Sequence, residues 1–297
     1  MYRYPKVGPY NVKYANFILI VLLAALLLVV PQLVLADEER AAISLGRMNF
    51  DYEETDVDGS FLDGEYGNIP GFTVDYSRKL KSKAFARFSL EYYRGEVDYD
   101  GHLQDLSDPN VHMFPFKTQT EERIFTLSAY LSSQINKSNN PLSIYGSFSY
   151  KNWERNIQGR YVSEDGNLGI PINQTVSDLF EEYSWWQLSA GLHYQLMMAS
   201  ASRLEFYTGI LQTLNATMEI GPYELDLEDK QGYEAGVTWF FSIAPNKRLG
   251  IGSSITYWEF GRSNPVQISP DEVILEPDSE SKMITFKLTY EWDIKKR

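Results

Sequence analysis

The residue types best suited to catalysis occur together in the stretch Asp98-Tyr99-Asp100-Gly101-His102. Side chains alternate between the two faces of an extended chain, so Asp98, Asp100 and His102 would share one face. Two carboxylates and an imidazole in that arrangement can activate a water molecule for hydrolysis. The same residues suit a solvated acidic loop, which is the interpretation we favour. A hydrolase with these three catalytic candidates is therefore kept as an alternative function.

A second acidic stretch, residues 53–60, contains Asp56 and Asp58 followed by Gly59. Carboxylates are the oxygen ligands that Ca²⁺ and Mg²⁺ prefer, so these two aspartates are the candidate metal ligands. The stretch lacks the spacing and the closing glutamate of an EF-hand. The chain has no cysteine, which excludes disulfides and thiolate–metal sites. We predict no resident cofactor.

The first 36 residues predict an export signal. Arg3, Lys6 and Lys13 precede an unbroken apolar run over residues 17–30, and small residues before Asp37 suit cleavage. The run is shorter than the roughly 20 residues that a membrane-spanning helix needs. We therefore predict a signal peptide at 1–36 and one domain at 37–297, with an uncleaved anchor as the alternative.

The charge of the chain argues against nucleic acid as a partner. Removal of residues 1–36 takes three of the 27 Lys and Arg and none of the 40 Asp and Glu, which leaves 24 − 40 = −16. Nucleic-acid binding depends on neutralising phosphates with basic residues. Cations, cationic groups and solvent are the partners that this charge permits.

Ten segments of the chain alternate apolar and polar residues with the period of a β-strand. The last is the clearest, with Ile284, Phe286 and Leu288 on one face and Thr285 and Lys287 on the other. Gly46 falls where the first segment changes phase and predicts a bulge. The predicted segments are 43–53, 71–77, 86–93, 125–131, 142–151, 186–196, 203–220, 233–243, 249–257 and 282–294.

Long and short connections alternate strictly between these segments. Transmembrane barrels combine this alternation with short turns at one end and long loops at the other. Because open sheet edges are not tolerated in hydrocarbon, the sheet should close on itself. We predict an all-β fold, a closed antiparallel transmembrane β-barrel of about 10 strands (8–12).

In this architecture the sequence resembles the single-chain outer-membrane β-barrels of Gram-negative bacteria. The resemblance implies export to the outer membrane, short periplasmic turns and long extracellular loops. It also implies contact with outer-membrane lipid, lipopolysaccharide and the barrel-assembly machinery, with divalent cations as further partners of the acidic loops. The omptin proteases are ten-stranded barrels with catalytic residues at the extracellular rim, but no later Asp-x-His motif follows Asp98-Tyr99-Asp100 here.

Charged residues on the polar faces of the segments predict a lumen network. Buried charges need partners, and a ten-stranded barrel is narrow, so we expect ion pairs to fill most of the lumen. His193 is expected within this network rather than as a base. The favoured function is a non-enzymatic structural or surface-binding barrel, with a narrow pore for small solutes as the other alternative. The predicted lumen residues are Arg47, Arg87, Glu91, Glu205, Lys287 and Glu291.

Overall fold

The computed structural model describes residues 38–56, 59–81, 83–104, 113–158, 179–199, 202–270 and 272–294. The predicted signal peptide and Asp58 lie outside these residues. None of the described residues forms a helix long and apolar enough to cross a membrane. The strands in chain order are β1 (Glu39–Thr55), β2 (Phe61–Lys81), β3 (Ala84–Gln104), β4 (Met113–Gln134), β5 (Leu142–Ile157), β6 (Leu179–Ala199), β7 (Ser202–Ile220), β8 (Tyr223–Asp226), β9 (Glu228–Asp229), β10 (Gln231–Ala244), β11 (Lys247–Gly261), β12 (Val266–Ser269), β13 (Glu272–Ile274) and β14 (Asp278–Asp293).

Ten of these strands form a closed antiparallel ring, which confirms the predicted fold. Consecutive strands pair from β1 to β7, β7 pairs with β10, and the ring continues through β11 and β14. The first and last strands close it, from Arg40 opposite Asp293 to Thr55 opposite Asp278. The short strands β8, β9, β12 and β13 lie within the connections at one end of the barrel. We call this the long-loop end and the opposite one the short-turn end.

An apolar belt surrounds the barrel towards its short-turn end. Its side chains point outward and are exposed although they are large and hydrophobic, which is the arrangement of a surface that faces lipid. The strand portions that carry the belt are the membrane-spanning segments, and the strands continue beyond them as an outer section. Representative belt residues are Ile43, Leu45, Phe72, Val74, Leu131, Ile144, Phe148, Leu188, Leu192, Phe206, Ile210, Val237, Trp239, Ile251, Phe286 and Leu288.

The first strand reverses its pattern without a bulge. Below Gly46 its apolar residues point outward, whereas Met48 and Phe50 point inward and are buried. Pairing with both neighbours runs in unbroken register through this point, so the bulge predicted at Gly46 is absent. The reversal occurs because β1 leaves the belt there and becomes the wall of a protein-filled core. Arg47 is consequently exposed on the outward face, not in the lumen as predicted.

The strands are also longer than the sequence pattern predicts. Residues 94–104, expected in a loop, continue β3, and residues 61–70 begin β2. In β7 the two faces of the strand exchange at a bulge. The register with β6 shifts between Ser184 and Trp186, and Asn215 on the facing strand has a positive φ of 50°. An extra residue at this bulge exchanges the two faces of the strand.

Candidate functional site

The lumen inside the belt is a polar cavity in two connected parts. The part at the short-turn end has a volume of about 340 Å³, and the part above it has about 200 Å³. Both are lined by Arg87, Glu91, His193, Glu205 and Lys287, so four predicted lumen residues and the predicted lumen histidine meet there. Glu291, also predicted, lines the lower part. The lumen is therefore less completely filled than expected.

Ion pairs join most charges in this cavity. The Lys287 Nζ is 3.0 Å from Glu91 Oε1, across strands that are distant in sequence. Arg203 Nε is 2.6 Å from Glu205 Oε1, and Arg203 Nη2 is 3.3 Å from Glu291 Oε1. These contacts satisfy groups that would otherwise be costly to bury.

The cations that hold Glu291 were missed in the sequence. Arg203 bonds it from β7, and Arg248 Nη1 from β11 at 2.9 Å. Arg248 also bonds Asp293 at 2.8 Å. Each arginine is the second residue of a strand that follows a short turn, where a basic residue looks like part of the turn. The alternation of side chains could have identified them, because Arg203 shares the inward face of β7 with Glu205, and Arg248 shares the inward face of β11 with Gly250 and Gly252.

Above the cavity, in the outer section, aromatic side chains pack together in the barrel interior, and we call them the aromatic plug. Its side chains come from β1, β5, β6 and β11 and are fully or almost fully buried. Trp153 stacks on Tyr183 with ring centroids 4.7 Å apart, and Trp185 lies 5.8 Å from Trp258. Such pairs contribute about 0.5–1.5 kcal/mol beyond the area they bury. The plug consists of Phe50, Trp153, Tyr183, Trp185, Trp258 and Phe260.

A lysine lies directly beneath the plug. The Nζ of Lys151 is 4.9 Å from the ring centroid of Trp258 and 5.7 Å from that of Trp185. The residue is 6 % exposed and lines the upper part of the cavity. Contact with aromatic faces stabilises its charge in place of a carboxylate.

On the other side of the plug, towards the long loops, lies a group of buried charges that we call the Arg155 cluster. Arg155 donates from Nε to Glu65 at 3.1 Å and from Nη1 to Glu181 at 2.8 Å and Glu54 at 3.2 Å. The Tyr183 hydroxyl is 2.9 Å from the same Nη1. One buried guanidinium therefore faces three buried carboxyl groups.

A fourth carboxyl group enters the cluster from the connection between β11 and β14. Glu276 is 4 % exposed and accepts hydrogen bonds from Tyr183 at 2.5 Å and from Tyr52 at 3.4 Å. Its backbone N–H donates to Ser263 Oγ at 2.8 Å. The hairpin of β12 and β13 rests on the same core through Val266 and Ile274, so this connection forms a lid over the cluster.

Burial shifts two acids of the Arg155 cluster, Glu181 and Glu276, towards the neutral form. It raises the pKa of Glu181 to about 7, although the Arg155 guanidinium opposes the shift. Burial also raises the pKa of Glu276 well above its usual range, and Glu54 and Glu181 add to the effect. An uncharged carboxyl group costs much less to bury than a carboxylate, so the cluster is stable when part of it holds protons.

The catalytic candidates lie within β3, near its end. Asp98 is exposed and points outward, because Val97 and Tyr99 on either side are buried. Asp100 forms an ion pair with Lys117 at 3.1 Å on the neighbouring strand. The backbone of His102 pairs with Pro115, and its side chain lies outside the description. Neither aspartate lines the polar cavity, and the hydrolase hypothesis stays a prediction.

The candidate metal ligands are only partly described. Asp56 is exposed in the turn between β1 and β2, where its carbonyl accepts a hydrogen bond from Gly59 at 2.9 Å. Within the part of the chain that the structure describes, no group of three or more histidine, aspartate or glutamate side chains is placed to hold a metal ion.

A closed ten-stranded ring with an outward apolar belt and a polar lumen defines the class: the fold is that of a single-chain outer-membrane β-barrel of Gram-negative bacteria. The chain is similar in structure to the outer membrane protease OmpT from Escherichia coli, with a TM-score of 0.62 and 10% identity over 87% of this chain and 97% of that one.

Two other outer-membrane proteins match less well. The toluene transporter TodX from P. putida has a TM-score of 0.35 and 9% identity over 89% of this chain and 92% of its own. Ail, the attachment invasion locus protein of Yersinia pestis, has a TM-score of 0.32 and 10% identity over 86% of this chain and 100% of its own. No protein-family model and no curated protein matches the sequence. These likenesses concern the fold.

Proposed function

We propose that this chain is an outer-membrane barrel that does not conduct solutes and acts through its outer section, in a structural or surface-binding role at the cell surface. In this arrangement the short turns face the periplasm and the long loops face the medium. The aromatic plug carries the proposal. The narrow-pore alternative requires a path past Trp153, Trp185 and Trp258, each at most 1 % exposed.

The outward surface just above the belt supports lipopolysaccharide as a partner. Arg94 and Arg123 lie directly opposite each other on β3 and β4. Both contact Glu121, at 2.5 Å from Arg94 and 3.3 Å from Arg123, and Arg123 also contacts Glu154 at 3.0 Å. Two guanidinium groups around one shared carboxylate leave donors for the phosphate groups that border the hydrocarbon of that lipid.

Conductance of the refolded mature chain in planar bilayers tests the closed lumen. We expect an electrically silent membrane from the wild-type chain. A variant with Trp153→Ala and Trp258→Ala, checked for heat-modifiable migration on a gel, should conduct because the plug loses two of its three tryptophan side chains. Stepwise currents from the wild-type chain would overturn the proposal.

Thermal unfolding with added lipopolysaccharide tests the surface. The unfolding temperature of the wild-type chain should rise, and the rise should shrink when Arg94→Gln and Arg123→Gln are combined. Lys137→Gln, which alters an exposed cation at the short-turn end, is the control and should leave it unchanged. An equal rise in the unfolding temperature of the double variant would show that these arginines do not bind lipopolysaccharide.

A further inference from the structure

The polar cavity has room because many inward residues of the belt are small. Serine, threonine and glycine occupy positions where a filled lumen would carry larger side chains. The volume of about 340 Å³ at the short-turn end is within the range of small-molecule pockets. This inference rests on the proposed closure of the other end by the plug, which makes the cavity a blind pocket. Small residues along its wall include Ser44, Thr73, Ser89, Ser143, Gly252 and Thr285.

Arg87 projects into both parts of this pocket and is exposed to it. Among the described residues it makes no hydrogen bond and no ion pair within 4.0 Å. Its guanidinium carbon is 4.5 Å from the ring centroid of Tyr130. That ring stacks on Tyr145 at 5.0 Å, and the Tyr145 hydroxyl donates to Glu234 at 2.7 Å. The guanidinium is thus held in position while its donors stay free.

The other cations of the pocket already have partners. Lys287 bonds Glu91, and Arg203 bonds both Glu205 and Glu291. Lys151 lies higher, against the tryptophan rings of the plug. Arg40, which also lines the lower part, contacts Glu38 at 3.4 Å and Asp293 at 3.6 Å. Among the described residues of the pocket, Arg87 is therefore the guanidinium that is available to a ligand.

We propose that Arg87 is the oxyanion-binding group of a pocket open at the short-turn end, which takes a small solute bearing a carboxylate or phosphate. The planar guanidinium presents paired donors that match two oxygens of such a group. The surrounding hydroxyl groups can bond the remaining oxygens. The lumen thus serves as a binding site reached from the periplasm, not as a channel.

Asp75 gives the proposal a sensitive test. It lines the lower part of the pocket from β2, opposite Ser89, while Arg87 is opposite Ser77. The carboxylate and the guanidinium are therefore diagonal neighbours on adjacent strands, within reach of each other's charge. A bound oxyanion would be repelled by Asp75, so removing that charge should strengthen binding.

Calorimetric titration of the refolded mature chain in detergent, with succinate and with inorganic phosphate as probes, measures the affinity. We expect binding of at least one probe, about tenfold weaker binding in Arg87→Gln, and severalfold tighter binding in Asp75→Asn. Arg262→Gln, at the far end of the barrel, should match the wild-type chain. The preferred probe distinguishes a carboxylate site from a phosphate site.

Two results would overturn the proposal. The first is equal affinity in the wild-type chain and a correctly folded Arg87→Gln variant. The second is the absence of binding of either probe to Asp75→Asn, in which the pocket has its greatest positive charge. The Asp75→Asn measurement decides the matter even where Arg87→Gln fails to refold.

Discussion

The phenolic hydroxyl of Tyr183 donates a hydrogen bond of 2.5 Å to Oε1 of Glu276 and so fastens the connection between β11 and β14 to the barrel interior. Tyr52 donates to the same oxygen at 3.4 Å. Because Glu276 lies in a cluster with Glu54 and Glu181, this fastening depends on protonation. Among the described residues, Arg155 is the cation that forms ion pairs with the acids of this cluster, Glu54, Glu65 and Glu181.

The stability of this lid should fall as pH rises. Burial raises the pKa of Glu276 and Glu181, so the folded state holds their protons more tightly than the unfolded chain. The stabilisation is fully present below the unfolded pKa of about 4.3 and is lost as pH rises through the folded pKa. For Glu181 that value is about 7. Hydrogen exchange of residues 262–278, corrected for intrinsic rates, should show less protection at pH 8 than at pH 5.

Glu276→Gln supplies the comparison for this pH dependence. The amide still accepts the tyrosine hydrogen bonds but cannot ionise, so protection of the lid should vary less with pH. Glu224→Gln, on an exposed residue, should retain the wild-type dependence. Equal protection at both pH values in the wild-type chain would show that the buried acids do not control the lid.

Replacement of Arg155 by alanine should destabilise the barrel strongly. Glu65, Glu54 and Glu181 would lose their shared guanidinium while staying buried. Breaking a buried ion pair from one side costs about 3–5 kcal/mol. Urea unfolding followed by tryptophan fluorescence measures the loss. Arg123→Ala, which breaks a partly exposed pair, should cost about 1 kcal/mol or less, and an equal loss in both variants would contradict the assignment.

Trp153→Ala should lower the free energy of unfolding by about 3–5 kcal/mol, because it empties a large volume in the plug. The matched control is Trp239→Ala, since Trp239 is 48 % exposed on the belt and leaves no internal cavity. The same unfolding experiment compares the two. If the control lost as much as the plug variant, burial would not be the cause.

Arginine introduced on the belt should impair the barrel, whereas arginine above it should not. Leu288→Arg places a charge among lipid tails, at a cost of about 2–4 kcal/mol near the membrane centre. Asn49 is exposed on the outward face of β1 in the outer section, so Asn49→Arg should leave stability unchanged. Heat-modifiable migration on a gel measures the folding of each variant, and unfolding in lipid vesicles measures its stability. Equal stability of the two variants would show that the belt is not bounded where we place it.

The alternation of apolar and polar residues in ten segments, together with the alternation of long and short connections, was enough to predict a closed ring of about ten strands. That logic assumes that apolar residues face outward along the whole strand. Met48 and Phe50 break the assumption because they face a protein core above the membrane. The same change of surroundings explains why Arg47 was assigned to the lumen.

The site depends on relationships that no single strand shows. Arg203 from β7 and Arg248 from β11 meet Glu291 from β14 only once the ring is closed. The plug likewise joins Trp153 and Trp258 from strands that are not neighbours. Local patterns predict which face of a strand a residue occupies. Contacts between strands also depend on the strand register and on the position of each residue along the barrel axis.

The seam between β1 and β14 has a consequence for biogenesis. Its pairs join residues near opposite ends of the chain, such as Ile43 with Tyr290. In the closed ring this edge of β1 pairs with β14, so the first strand keeps an open hydrogen-bonding edge until the last strand has been synthesised and delivered. Contacts so distant in sequence form slowly. The cell must therefore protect the unpaired edge of β1 until the ring closes.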